Sequence, residues 1–252
     1  MDIQSYGGGS TRSFLERGKP ANSGLCLFGG GKAMELHIER VEHHSEGELI
    51  EGLRNVTLLE RPTVRIYKDA CISLEKIAVE CLYPAQRYVL VRELLKVRRL
   101  RWELSRLGYD MFELNGYLRL WLRGNDKPVD LLPPIVEESI EQNGHVVHII
   151  NDGMHRIYLA YREWIIPQVV FIRGIPKNLP YYAYPNPGRW SEIELIEEIP
   201  ENYIKKWHRI PAHHTLYRNF NSAFENVGAP RGRVRDYSRA SSINLSRSAE
   251  KE

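Results

Sequence analysis

Cysteine is scarce in this chain, whose 252 residues include only Cys26, Cys71 and Cys81. An odd number of widely spaced cysteines does not suit a disulfide framework and predicts reduced thiols in a cytoplasmic protein. No two of them form a C-x-x-C pair, so a zinc site built on cysteines is not predicted.

Long apolar runs are also missing. No segment approaches the ~20 consecutive apolar residues that a membrane-spanning helix needs. Residues 1–7 lack the basic segment and apolar core of a secretory signal. We therefore expect no membrane partner.

The excess of positive charge is small and lies at the C-terminal end. The net charge is +3, and residues 228–252 alone hold six Lys or Arg against three Asp or Glu. The remaining residues are near neutral, which is a weak electrostatic signal for nucleic acid. We interpret residues 228–252 as a flexible basic tail that makes at most a weak nucleic-acid contact.

The patterns that are present mix strands and helices, so we predict an α/β (α+β) fold with a mixed sheet and flanking helices. Residues 1–24, rich in Gly, Ser and Arg, are predicted to be a disordered leader. Residues 25–70 are predicted to form a β-rich extension, with strands at 25–28, 34–41 and 63–67 and a helix at 46–56. Residues 176–227 are predicted to be a Tyr/Pro-rich loop followed by short helices at 191–198 and 202–208.

The longest helical pattern runs from Pro84, a residue that suits a helix start, to Leu107. Apolar residues at steps of three and four predict a buried face; they are Leu90, Leu94, Val97, Leu100, Leu104 and Leu107. The opposite side carries basic residues with one Glu among them; they are Arg92, Lys96, Arg99, Arg106 and Glu103. This side is either a solvated cationic face or a surface for a phosphate-rich partner, and both interpretations stay open.

The most informative segment is 151–156, with the sequence Asn-Asp-Gly-Met-His-Arg. It follows an apolar strand pattern and precedes a helical one, so a turn and a helix start coincide. N–H groups at a helix N-terminus favour an anion, and Gly153 allows the backbone to approach a ligand closely. His155 and Arg156 add donors for phosphate oxygens. The alternative is a plain strand-turn-helix junction in which Asp152 only caps the helix.

The order of elements around this turn resembles the ParB/sulfiredoxin superfamily. Residues 132–136 (Leu-Pro-Pro-Ile-Val) precede a hairpin signal at Asn143-Gly144, the strand 146–150, the turn, a helix and a strand at 166–172. Residues 72–77 look like the family's opening strand, so the resemblance covers about residues 71–175. It implies a nucleotide-binding domain whose phosphate-binding loop is the turn.

Within that superfamily, the turn is most similar to the Asp-Gly-His-His-Arg of the free serine kinases. Met154 is the one difference, and it also stands where sulfiredoxins have a nucleophilic cysteine, which a thioether cannot replace. The serine kinases have a catalytic Glu after the opening strand, matched here by Glu80, and a Tyr-Pro segment, matched by residues 181–187. The helix-turn-helix of ParB partition proteins has no evident counterpart.

The resemblance implies an ADP- or ATP-dependent, Mg²⁺-requiring kinase, a transferase acting on a small hydroxylated metabolite such as an amino acid. Glu80 would be the catalytic base, and Asp152 would bind the metal. The nucleotide-binding residues would be Asp152, Gly153, Met154, His155 and Arg156. The substrate-binding residues would be Tyr182, Tyr184 and Arg189.

A second hypothesis belongs to another class. The domain would be a ParB-like nucleotide-binding or nuclease module that acts on DNA in a mobile element or defence system. The basic helix and the Arg-rich tail favour it, whereas the near-neutral body and the missing helix-turn-helix disfavour it. A third hypothesis is a catalytically inactive binding protein that keeps the turn for its structure.

Overall fold

The structure is a computed structural model in which residues 36–141 and 143–227 are described. The predicted leader, the predicted strand at residues 25–28 and the basic tail lie outside the described residues. The helices within them are α1 (Glu46–Arg54), α2 (Val91–Arg106) and α3 (Met154–Arg162). The strands are β1 (Ile38–Ser45), β2 (Thr57–Leu58), β3 (Arg61–Arg65), β4 (Cys71–Lys76), β5 (Leu82–Tyr83), β6 (Tyr88–Leu90), β7 (Gly116–Leu122), β8 (Val129–Leu131), β9 (Ile135–Ile140), β10 (Val146–Asp152), β11 (Gln168–Arg173), β12 (Glu194–Ile196) and β13 (Arg218–Asn219).

A five-stranded mixed sheet in the order β4-β11-β9-β10-β5 forms the centre of the fold. β9 and β10 make the antiparallel hairpin that the Asn143-Gly144 signal predicts, and Gly144 has a φ of +80° there. β10 continues the sheet through a parallel pairing with β5, and β11 pairs with β9 in parallel and with β4 antiparallel. The mixed α/β fold class predicted from the sequence is confirmed.

The predicted N-terminal extension contains α1 and part of a smaller sheet. β1 pairs antiparallel with β7, and β7 with β8. The start of α1 is fixed by a reciprocal capping box, in which Ser45 accepts from the Glu48 N–H while the Glu48 carboxylate accepts from the Ser45 N–H. Leu49 and Leu53, one turn apart, are fully buried.

The long basic helix is shorter than predicted. Residues 88–90 form β6, which pairs in parallel with β12, so α2 begins at Val91 and not at Pro84. Its buried face includes Leu94, Leu100 and Leu104, as the periodicity predicts. Placing Glu103 on the solvated side and Leu107 on the buried face was wrong, because Glu103 is 3% exposed and Leu107 is 48% exposed.

The two short helices predicted after residue 190 are wrong. Residues 189–192 form one 3-10 turn, and the chain then enters β12. The backbone of residues 202–208 forms hydrogen bonds with other segments. The Lys205 carbonyl accepts from the Arg87 N–H, and the Trp207 carbonyl accepts from the Tyr184 N–H. Long-range backbone bonds have replaced the local bonds of a helix.

The segment after β12 packs back onto the rest of the described chain. β13 pairs with β2, and the buried Asp130 carboxylate binds both the Arg119 guanidinium and the Glu225 N–H. Cys71 and Cys81 are exposed free thiols. None of the described helices combines the length and apolar character needed to cross a membrane.

Candidate functional site

The predicted strand-turn-helix is present and depends on one glycine. β10 ends at Asp152, α3 begins at Met154, and Gly153 between them has a φ of +83°. A Cβ at this position would lie 2.9 Å from the Pro134 Cβ and 3.0 Å from the Pro134 Cα. Glycine is therefore required both by the backbone conformation and by the close approach of the loop before β9.

His155 joins the N-termini of two helices. Its Nε2 accepts a hydrogen bond of 3.2 Å from the N–H of Leu90, the N-cap residue of α2, so the ring proton is on Nδ1 in the neutral form. Neither Leu90 nor Gly153, the N-cap of α3, provides a side-chain cap. Two helix N-termini without side-chain caps therefore converge at the turn, and both contribute partial positive charge.

Arg156 is buried behind the turn. Its side chain is 9% exposed and donates to the Leu132 carbonyl and, at 3.4 Å, to the Asp152 carboxylate. The guanidinium thus ties the turn to the loop before β9. The capping role considered for Asp152 is wrong, because Gly153 is the N-cap and Asp152 pairs with Arg156. Met154 is also buried and packs in the core.

A buried polar network supports the turn from the sheet side. Asn151 donates to the Tyr67 hydroxyl and to the Glu137 carboxylate, which also accepts from Tyr67 at 2.6 Å. Arg218 closes the network with two bonds to Glu137, of 2.9 and 2.8 Å, and both side chains are 1% exposed. Burial and then the charge of Glu137 raise the pKa of Tyr67 well above its usual value, so this hydroxyl stays a donor.

Glu80 is not part of α3 but lies beside its C-terminal half. It belongs to a 3-10 turn, Val79–Cys81, and lines a cavity of about 230 Å³ together with Ala160, Tyr161 and residues 164–166. Ala160 is seven residues beyond Gly153, roughly 10 Å along a helix axis. The other walls of this cavity come from the C-terminal half of α3 and from residues 164–166, and Gly153 and His155 are not among them.

The three predicted substrate residues lie near the opposite end of β10. Tyr184 lines a cleft of about 510 Å³ with Tyr83, and the Arg189 guanidinium lies 4.4 Å from the Tyr83 ring centre. Tyr182 belongs to an aromatic cluster with Tyr181 and Tyr217, and its hydroxyl accepts from Lys206. The cleft is lined by Val147, five residues before Asp152, which is about 17 Å along a strand.

The exposed side of α2 forms a basic surface, called here the α2 surface: Arg92, Arg98, Arg99, Arg106 and Trp102. The helix carries six Lys or Arg and two Glu. The guanidinium groups of Arg99 and Arg106 lie over the Trp102 ring at 4.7 and 4.9 Å, and Trp102 is 50% exposed. Part of the charge is compensated, because Glu103 pairs with both of these arginines.

The fold and the turn together are those of a ParB-like domain: a mixed sheet in which a strand, a glycine turn and a helix follow one another. The chain belongs to the ParB CE domain family, whose model matches residues 48–194, more than half of the sequence. The matched range contains the turn, α2 and all of the residues that line the cleft. No curated protein and no solved structure matches the chain.

Metal-binding clusters of three or more His, Cys, Asp or Glu are not found among residues 36–141 and 143–227. The sequence did not reveal the Glu137–Arg218 network or the bond from Leu90 to His155. Their partners lie 81 and 65 residues apart in the chain. Short-range sequence patterns carry no signal for contacts between positions this far apart.

Proposed function

We propose that the chain is a ParB-like nucleotide-binding module that holds the phosphates of a nucleotide at the turn and acts on DNA. The observation that carries the proposal is the meeting of two helix N-termini without side-chain caps at His155. Helix N-termini attract anions through their unpaired N–H groups and their partial charge. The family supports the ParB-like part of the proposal.

The residues at the turn fit a phosphate group in a particular way. Backbone N–H groups are the main donors in this proposal, since the Arg156 guanidinium is directed at Leu132 and Asp152. The exposed Arg92, in the first turn of α2, adds a positive charge at that end of the helix, although the Glu93 carboxylate lies 3.8 Å from its guanidinium. A bound anion would stabilise both helices at once.

A magnesium ion would come with the nucleotide. Mg²⁺ keeps several waters and is usually bound by one or two carboxylates together with phosphate oxygens. Asp152 supplies one carboxylate at the turn, with a side chain that is 20% exposed. One carboxylate beside a bound phosphate is enough for such an ion, so a larger acidic cluster is not needed.

The DNA contact in this proposal is electrostatic and independent of base sequence. It uses the α2 surface, where exposed arginines surround an exposed tryptophan, together with the basic tail. Aromatic and basic side chains side by side are suited to nucleic-acid backbones and unpaired bases. The body of the chain is near neutral, so tight sequence-specific binding is not expected.

The nucleotide part is tested by a thermal-shift panel of ATP, ADP, GTP and CTP with and without Mg²⁺. A ligand that binds only the folded state raises the melting temperature by mass action. We expect at least one nucleotide to raise it, and the corresponding nucleoside without phosphates to raise it less. If no nucleotide shifts the melting temperature at millimolar concentration, phosphate binding at the turn is refuted.

The DNA part is tested by fluorescence anisotropy with labelled duplex and single-stranded DNA at several salt concentrations. Phosphate contacts release counterions, so the logarithm of the affinity should fall linearly with the logarithm of the salt concentration. We expect weak binding that Trp102→Ala weakens further, whereas Trp164→Ala, which changes an exposed tryptophan outside α2, leaves it unchanged. Binding that is absent at low salt would remove DNA from the proposal.

A small-molecule kinase is the more specific hypothesis, with an ADP or ATP donor and a small hydroxylated acceptor such as serine. It depends on the similarity of the turn to that of the free serine kinases and on Glu80 as the base. The position of Glu80 beside the C-terminal half of α3 gives it no support. The hypothesis would be established by phosphoryl transfer to serine whose rate falls ~10²-fold or more in Glu80→Gln while nucleotide binding is retained.

A further inference from the structure

The cleft at the start of β10 is a second site of different chemistry. It has a volume of about 510 Å³ and lies between the β9–β10 hairpin and the segment 184–187. Its walls include two tyrosine rings, Tyr83 and Tyr184, with His145 edge-on to Tyr83. The turn at the other end of β10 presents backbone groups, whereas this cleft presents side chains.

Both tyrosine rings are held in place by arginines. The Arg189 guanidinium lies 4.4 Å from the centre of the Tyr83 ring, and that of Arg209 lies 4.5 Å from the centre of the Tyr184 ring. Arg209 is itself fixed by two bonds to Glu141, of 2.9 and 2.6 Å. Aromatic rings that are ordered before binding lose little conformational entropy when a flat ligand stacks on them.

The side chain of Asn186 indicates that a ligand of the cleft carries a hydrogen-bond donor. It lines the cleft and is 1% exposed. Its Nδ2 donates to the Gln86 carbonyl at 3.0 Å, which fixes the orientation of the amide. Its Oδ1 has no hydrogen-bond partner among the described residues, although a buried acceptor left unpaired costs about 1–3 kcal/mol.

The carboxylate that lines the cleft is already paired. The Glu141 carboxylate is occupied by Arg209, and burial is outweighed by that arginine's hydrogen bonds and charge, which hold the pKa of Glu141 below its usual value. Among the residues that line the cleft, Asn186 provides a buried acceptor that has no hydrogen-bond partner among the described residues. A flat, neutral ring that carries an N–H donor satisfies both the aromatic walls and this oxygen.

We propose that the cleft of Tyr83, Tyr184 and Asn186 binds an amino-bearing nucleobase, adenine or cytosine, which stacks on a tyrosine and donates its amino group to the Asn186 Oδ1. The base belongs to either a free nucleotide or an unpaired position of a single strand, because both present the same ring. The site is about 17 Å along β10 from the turn, so it does not depend on phosphate binding there.

Calorimetric titration of the full chain tests the donor requirement with two matched ligands. Adenosine carries the exocyclic amine, and purine riboside has the same ring and sugar without it. We expect adenosine or cytidine to bind, and purine riboside to bind at least about tenfold more weakly than adenosine, since an unpaired buried acceptor costs 1–3 kcal/mol. Equal affinity for the two purines, or no saturable binding of either amino-bearing nucleoside, would overturn the proposal.

Matched variants locate the binding in the cleft. Tyr184→Ala should weaken adenosine binding about tenfold, because base–aromatic stacking contributes roughly 1–3 kcal/mol, whereas Tyr184→Phe keeps the ring and should bind within about threefold of the wild type. Asn186→Leu should remove the preference for adenosine over purine riboside. If Asn186→Leu does not fold, the pair of Tyr184 variants still decides the location, and equal binding by both would place the base elsewhere and refute the site.

Two further arms separate this site from the turn and distinguish the sources of the base. Inorganic triphosphate, a probe for the turn, should leave adenosine binding unchanged, and displacement of adenosine by it would contradict a separate site. An oligonucleotide of deoxyadenosine that binds more tightly than adenosine, with salt-dependent affinity, identifies single strands as the source. An oligonucleotide no tighter than adenosine identifies a free nucleotide.

Discussion

The two ends of β10 are built on opposite principles. At its C-terminal end the turn is closed: Gly153 lies against Pro134, Arg156 is buried, and Asn151 enters a network of buried polar groups. At the N-terminal end of β10 the hairpin is loosely packed, since a Cβ added to Gly144 would have no atom within 4 Å. One end can therefore present rigid backbone N–H groups, and the other presents side chains that a ligand can contact.

The difference between the two ends is clearest in their arginine–glutamate pairs. The pair near the turn, Arg218 with Glu137, is 1% exposed on both sides, and the Glu137 charge outweighs burial and raises the pKa of Arg218. The pair beside the cleft, Arg209 with Glu141, is 9% and 14% exposed. Water reaches the second pair if one partner is lost, but it does not reach the first.

The largest effect is expected from removing one partner of the deeply buried pair. Arg218→Ala leaves the Glu137 charge uncompensated and should lower the free energy of unfolding by about 3–5 kcal/mol. Arg209→Ala, the matched change beside the cleft, should cost about 1–2 kcal/mol, because water can solvate Glu141. Urea denaturation measures both, and equal losses would mean that the two ends do not differ in rigidity.

Effects of intermediate size are expected from replacing the glycine at each end of β10, Gly153 in the turn and Gly144 in the hairpin. Gly153→Ala adds the strain of a φ of +83° to a contact of 2.9 Å with Pro134, and we expect a loss of about 2–3 kcal/mol. Gly144→Ala has a φ of +80° but open space around its Cβ, so it should cost only about 1 kcal/mol. Similar melting temperatures for the two variants would argue against close packing at the turn.

The smallest expected effect is the pH dependence that the Glu141–Arg209 pair beside the cleft contributes. The pKa of Glu141 is lower in the folded protein than its ordinary value of 4.5, mainly because the Arg209 bonds and charge outweigh burial. The carboxylate therefore stabilises the fold above pH 4.5, and this contribution is lost as the pH falls through the lowered value. The stability difference between the wild type and Glu141→Gln should be full near pH 7 and shrink in acid.

Local sequence patterns predicted much of the fold. The hairpin, the strand before the turn, the glycine and α3 follow from short-range signals: an Asn-Gly pair, an apolar run and helical spacing. The same is true of α1, whose Ser45 and Glu48 form a capping box within the segment itself. These elements were predictable because the interactions that fix them lie within a few residues.

The parts that were not predicted depend on distant partners. Residues 88–90 became a strand because β12 pairs with them from more than a hundred residues away, and α2 therefore starts later than its periodicity suggests. Glu103 lies on the buried side of α2, where its charge is compensated by three neighbouring side chains, those of His37, Arg99 and Arg106. Arg218 shows no sequence signal for its buried role, since its partner Glu137 precedes it by 81 residues.

The most direct test of the central claim compares two charge reversals on α2. Arg92 lies in the first turn, next to the converging N-termini, and Arg106 lies in the last turn, about 21 Å away; their side chains are 63% and 58% exposed. Isothermal titration with the nucleotide that gives the largest thermal shift should show Arg92→Glu weakening affinity by about tenfold or more, since a carboxylate there competes with phosphate. Arg106→Glu should bind within about twofold of the wild type. Equal affinities for all three proteins, or equal losses in both variants, would contradict phosphate binding at the turn.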